Sequence, residues 1–106
     1  MEETPNLIYL NQLSDGDNAA KKSLLKVLKA EFITEVEQYN INMINNCLLN
    51  AAENVHKIRH KIGFLGMEKA YELSNNHEQE LKNNSILLKF EFENILNIIH
   101  NFLTTL

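Results

Sequence analysis

Two histidines, His56 and His60, stand four residues apart in the segment Val55-His56-Lys57-Ile58-Arg59-His60-Lys61-Ile62, with three cations interleaved. A neutral imidazole is a competent nucleophile towards phosphorus, and phosphoryl transfer asks a protein mainly for positioning and for positive charge near the equatorial oxygens. On a helix Arg59 falls one turn from His56, at the i to i+3 spacing where side chains meet, so the two residues supply nucleophile and cation in minimal form. The same pattern also describes an exposed histidine on a charged helix with no chemistry at all, and spacing alone does not separate the two. His56 and His60 could offer a metal two nitrogens, which is half of a tetrahedral zinc site. No carboxylate or cysteine on the same helix is spaced to complete it, so no metal and no other cofactor is expected.

Other chemistry is scarce. The chain has no P-loop, dinucleotide fingerprint, zinc knuckle or Gly-x-Ser-x-Gly elbow. Cys47 reads as a buried, inert thiol at a helix start. His100 has no cation at helical spacing.

The elements that must position these residues are helical. One proline and three glycines leave almost no strand or hairpin punctuation. Thr4 and Pro5 fit an N-cap and first helical position for a short helix through Leu7, Ile8, Leu10 and Leu13, broken at Ser14-Asp15-Gly16-Asp17. Asp17 can cap a long helix whose stripe is Leu24, Leu28, Phe32, Val36, Tyr39 and Met43, ending near Asn45-Asn46. A third helix spans about Cys47 to Gly63 along Leu48, Ala51, Val55, Ile58 and Ile62. Relative to the centre of that line, His56 lies roughly 120° away and His60 roughly 160° away at about 100° per residue, so both face outward. A fourth helix from Met67 carries Ala70, Tyr71, Leu73 and Leu81 and stops at Asn83-Asn84. The fifth repeats Leu88, Phe92, Ile95, Ile99, Phe102 and Leu106 at steps of four and three. The expected fold is all-α, an antiparallel up-down four-helix bundle with a short N-terminal helix in front, with Leu24, Leu28, Phe32, Val55, Ile62, Phe92, Ile95 and Ile99 in its core. Sixteen asparagines, poor helix formers, make these helices depend on packing more than on propensity.

Composition sets the class. At 106 residues the chain suits a single domain, 1–106, and is too short for an enzyme carrying its own nucleotide domain. A net charge of −4 gives no basic surface for nucleic acid or anionic membrane, which leaves another protein as the partner and a monomer as the expected state. A lone cysteine and the lack of a signal-peptide pattern point to the cytoplasm. Charged and amide residues interrupt the apolar stretch from Ile86 to Leu106, so it is read as a buried-face helix and not a membrane span.

At the histidine segment the sequence resembles a known family. His56-Lys57-Ile58-Arg59 followed by Leu65-Gly66 is similar to the signature of histidine-containing phosphotransfer (HPt) domains, in which the phosphoacceptor histidine precedes an aliphatic residue, a basic residue and a Leu/Met-Gly turn. The stretch from Tyr9 to Asp17 resembles the family's first helix and Gly-Asp turn, and Leu73 and Glu78 match positions of the following helix, so the resemblance covers about residues 5 to 105. It implies a phosphorelay intermediate without autonomous catalysis, with His56 as phosphoacceptor and Arg59 stabilising charge. Glu78 would lie across from His56 and accept from Nδ1–H, and Lys57 and Lys61 would add positive potential. The implied partner is a response-regulator receiver domain, also a hybrid histidine kinase, with the magnesium and aspartate belonging to the receiver. Two positions depart from the pattern, since His60 stands where the family has a small residue and Lys61 where it is often small or hydroxylated. Registering the motif on His60 instead would put Gly63 at the basic position and Ala70 at the turn glycine. The alternative is a bundle that docks on a receiver or kinase domain as scaffold or inhibitor, without phosphotransfer.

Overall fold

The computed structural model describes residues 3–106, and they form a helical bundle: α1 (Ile8–Ser14), α2 (Asn18–Ile44), α3 (Leu48–Phe64), α4 (Glu68–Lys82) and α5 (Lys89–Thr104). No strand occurs among the described residues, and no helix there is long and apolar enough to cross a membrane. At 1.5 Å per residue the 27 residues of α2 span about 40 Å, which sets the 44 Å long axis of the molecule. Consecutive helices pack on one another along the chain, α2 on α3, α3 on α4 and α4 on α5.

The third helix is the spine of the core. Ala51, Ala52, Val55, Ile58 and Ile62 are all buried, and they meet Phe32 and Tyr39 of α2, Leu81 of α4 and Phe92 and Ile99 of α5 in one cluster. The alanines let neighbouring backbones approach, while the aromatics fill the wider layers. Asp17 caps α2 as expected, its Oδ1 accepting from the N–H groups of Ala19 and Ala20 at 3.0 and 3.1 Å. Asp15, Asn46 and Asn84 take positive φ of 47°, 56° and 61° just past three helix ends, doing the work glycine usually does there.

After α3 a glycine, Gly66, takes that place. Its φ is +73°, and a Cβ there would come within 2.5 Å of the Asn6 side-chain amide. Asn6 is held at that spot because its backbone N–H donates to the Leu65 carbonyl at 2.8 Å, and its Oδ1 accepts from Ile8 N–H at 3.1 Å.

Four expectations need correcting. Thr4 and Pro5 do not open α1, which begins at Ile8: Glu3 accepts from the N–H groups of Lys69 and Ala70, both at 2.9 Å, and with Asn6 ties this segment across the α3–α4 turn. Leu24 is exposed, because it lies on the wall of a surface groove with Leu10, Val27 and Phe64 and not in the packed interior. In α5 the buried line is Phe92, Leu96, Ile99 and Leu103, so Ile95 and Phe102 sit on the shoulder of the core and Leu106 outside it. Cys47 is exposed, not buried, since it precedes the first residue of α3 that turns inward.

Candidate functional site

The site is built where the outer flank of α3 meets α4. In α4 the residues Ala70, Ser74, His77, Glu78 and Leu81 face inward, so the sequence drives a carboxylate into the interface along with its apolar neighbours. Glu78 lands against α3 with its side chain only 6% exposed, while the His56 side chain is 49% exposed. Oε1 of Glu78 lies 3.2 Å from Nδ1 of His56 and 3.4 Å from Nη1 of Arg59, and its Oε2 takes the Lys82 ammonium at 3.1 Å. Burial alone would raise the Glu78 carboxyl, but the Lys82 bond, the His56 bond and the nearby Arg59 charge outweigh it and hold the group below its ordinary value. Glu78 is therefore a carboxylate.

That charge fixes the tautomer of His56. A carboxylate can only accept, so its contact with Nδ1 requires the hydrogen on Nδ1, which leaves the lone pair on Nε2. Arg59 Nη2 stands 3.1 Å from the same Nδ1 and, being a donor only, cannot bond to it at the same time. Between the two, the ionised acceptor decides, and Arg59 acts on the ring as a neighbouring charge. Its guanidinium is anchored by Asn75 Oδ1 and lies 5.4 Å from the centre of the Tyr71 ring. Charged as it is, the Arg59 side chain is only 13% exposed, because α4 folds over it.

His60 stands beside His56 at the centre of the site, as the i to i+4 spacing allows. Its Nε2 is 3.4 Å from Nε2 of His56, with the ring centres 5.0 Å apart and the planes at 79°. The nitrogen of His56 that faces outward is thus touched by a second imidazole. Lys57 and Lys61 are not brought to the ring. They lean towards α2, where Glu35 and Glu31 meet them at 3.8 and 3.9 Å and offset their charge.

The fold therefore joins His56, Arg59 and Glu78, adds His60, Asn75, Tyr71 and Lys82, and leaves Lys57 and Lys61 to one side. Lys82 was readable as a cation one turn after Glu78; Asn75 and Tyr71 become legible only once α4 is laid on α3. A second buried polar group, around His77, lies apart from this site. Tyr39 donates to Glu93 at 3.1 Å and meets His77 Nε2 at 3.0 Å, so His77 carries its hydrogen on Nε2 and buries an unpaired Nδ1.

The chain was compared with protein-family models, with curated proteins and with solved structures, and none of the three gave a match.

Proposed function

We propose that the chain is a phosphorelay intermediate of the HPt kind, in which Nε2 of His56 carries a phosphoryl group between receiver-domain aspartates. The observation that carries this reading is the buried, ionised Glu78 behind a half-exposed His56. It holds the hydrogen on Nδ1 and presents the Nε2 lone pair outward. In the transfer that lone pair forms the N–P bond as the bond from phosphorus to the aspartyl oxygen breaks, and the electron pair leaves with the receiver's carboxylate. Positive charge left on the imidazole ring is offset by Glu78, and Arg59, held on the Nδ1 side of the ring, adds a fixed positive charge to the field that the phosphoryl group enters. The receiver, of a response regulator or a hybrid histidine kinase, supplies magnesium and aspartate, and this chain supplies no catalysis of its own. The bundle proposed is antiparallel and up-down. In support, Tyr39 reaches Glu93 while Lys29, earlier in α2, donates to the carbonyl of Leu106 past the end of α5 at 3.3 Å. A cytoplasmic monomer belongs to the same proposal.

One observation favours the second reading, a receiver-docking scaffold. His60 Nε2 occupies the approach to His56 Nε2, and a phosphorus atom needs that approach. At 3.4 Å the contact is a long one and costs little to break, so it slows transfer more than it forbids it. The test is to incubate the protein and its His56→Gln and His60→Gln variants with phosphorylated receiver domains. Acid-labile, base-stable label is expected on the native chain and on His60→Gln, and none on His56→Gln. Label kept by His56→Gln and lost by His60→Gln would move the phosphoacceptor to His60. Binding without label would favour the scaffold.

A further inference from the structure

The two imidazoles are spaced as ligands of one tetrahedral ion. With Zn–N bonds of about 2.0–2.1 Å, a tetrahedral angle sets the two nitrogens about 3.3–3.4 Å apart, whereas a square-planar ion would need them about 2.8–3.0 Å apart. The Nε2 atoms of His56 and His60 are 3.4 Å apart. The ring centres give an independent check. Each would stand about 3.2 Å from a shared zinc and so about 5.2 Å from the other, and the observed separation is 5.0 Å. Both distances are those of two imidazoles that share one ion.

The surroundings fit as well. A histidine that ligates a metal usually donates its other N–H to a carboxylate, which fixes ring and tautomer. His56 does this to Glu78 at 3.2 Å. The nearby cations are partly offset, Lys57 by Glu35, Lys61 by Glu31, and Arg59 together with Lys82 by Glu78. No group of three or more His, Cys, Asp or Glu side chains suited to a metal gathers among the described residues, so any ion here is held by two protein ligands.

We propose that His56 and His60 form a zinc-binding pair, with both Nε2 atoms on one Zn²⁺ and water in the remaining positions. Without the ion, His60 donates its Nε2–H to the bare Nε2 of His56. Ligation moves that hydrogen to Nδ1 of His60, and the two lone pairs go to the metal. The site is open and exchangeable, weaker than a four-ligand structural site. One consequence rests on the phosphoryl reading of His56: bound zinc occupies the attacking lone pair and stops labelling.

Titration of the ¹⁵N-labelled protein with zinc chloride, in buffer free of chelators and phosphate, tests the pair by calorimetry and imidazole NMR. One ion per chain is expected, with the Nε2 resonances of His56 and His60 shifting and those of His77 and His100 unmoved. His60→Gln should weaken binding at least tenfold, and His100→Gln should leave it unchanged. Equal affinity in the native chain and His60→Gln, or loss in His100→Gln, would overturn the proposal. In the labelling assay, zinc should suppress labelling of the native chain and spare His60→Gln. A chain that takes no label from any receiver removes the phosphoryl reading and leaves the calorimetric result standing.

Discussion

Nδ1 of His56 lies 3.2 Å from Oε1 of Glu78, a half-exposed ring fastened from behind by a buried carboxylate. The asymmetry of burial is what distinguishes the two nitrogens: the hydrogen goes to the buried side and the lone pair to the open one. It also means that a residue of α4 sets the chemistry of a residue of α3, so the helix interface is part of the site.

Glu78→Gln separates the geometry of this contact from its charge. The amide oxygen can still accept from Nδ1–H, so the ring keeps its place, but the charge opposite the phosphorylated imidazole is gone. Transfer to His56 should slow by about 10–100-fold, the range found when the carboxylate behind a metal-bound histidine is changed. Time courses of receiver-driven labelling measure this, with urea unfolding run beside them. Native rates in a folded Glu78→Gln protein would remove the carboxylate from the mechanism.

Arg59 is held on several sides, by Asn75, by Glu78 and by the face of Tyr71. Arg59→Ala should therefore cost stability, about 1–3 kcal/mol, by leaving Glu78 and Asn75 short of a donor in a half-buried place. It should also slow transfer and shorten the life of the phosphorylated form. Arg59→Lys keeps the charge and loses the planar fork, so it should recover part of the rate and little of the stability. Chemical denaturation and label decay check the two effects separately, and unchanged transfer in both variants would leave Arg59 a purely structural residue.

The helices were legible in the sequence because their signals are local: the Asp17 cap, the run Ala51, Val55, Ile58, Ile62, and the near absence of proline and glycine. What a helix meets across the interface is not local. The wheel that puts His56 roughly 120° from the core puts Arg59 only roughly 60° from it, a position that a neighbouring helix covers easily. The charge of Arg59 suggested solvent, and the packing of α4 decided otherwise. Leu24 erred the other way: it continues the stripe of α2, but at that level the stripe meets a surface groove and not the packed interior. Thr4 and Pro5 read as a helix start on local chemistry, and were overruled by Glu3 and Asn6 finding partners more than fifty residues away. The contact of His60 with His56 follows from i to i+4 spacing; its distance needed side-chain rotamers.

Acid should weaken the fold through His77, which is fully buried in α4. Burial lowers its pKa from 6.5 to about 4, against the opposing pull of Glu93 and Glu80 and with the help of Lys89, while Tyr39 of α2 occupies its Nε2. Between these values the unfolded chain takes up a proton that the folded chain refuses. The stability due to the neutral ring is thus complete above about pH 6.5 and falls as the pH drops towards about 4. A shift of this size corresponds to about 3 kcal/mol. His77→Phe keeps an aromatic ring beside Phe92 and removes the titration, so its urea midpoint should vary less across that range than the native one. Parallel curves for the two proteins would show that His77 does not carry the acid sensitivity.

Phe92 and Leu24 together test the account of the core. Phe92 is fully buried, with its ring centre 5.3 Å from that of Tyr39 and 4.8 Å from that of His77. Truncating it opens a cavity beside the buried Tyr39, His77 and Glu93 network that links α2, α4 and α5. Phe92→Ala should therefore cost about 3–5 kcal/mol, as large-to-small changes in packed cores do. Leu24 occupies the same kind of apolar stripe position in its own helix but is 41% exposed. Leu24→Ala forfeits only part of a leucine's transfer energy and leaves no cavity, so it should cost about 1 kcal/mol or less. Equilibrium unfolding in urea gives both numbers, with the slope unchanged if the variants stay two-state. Comparable losses at the two positions would mean that the part of α2 ahead of Leu28 is covered after all, and that the core extends further towards α1 than Leu28 and Leu10 now mark it.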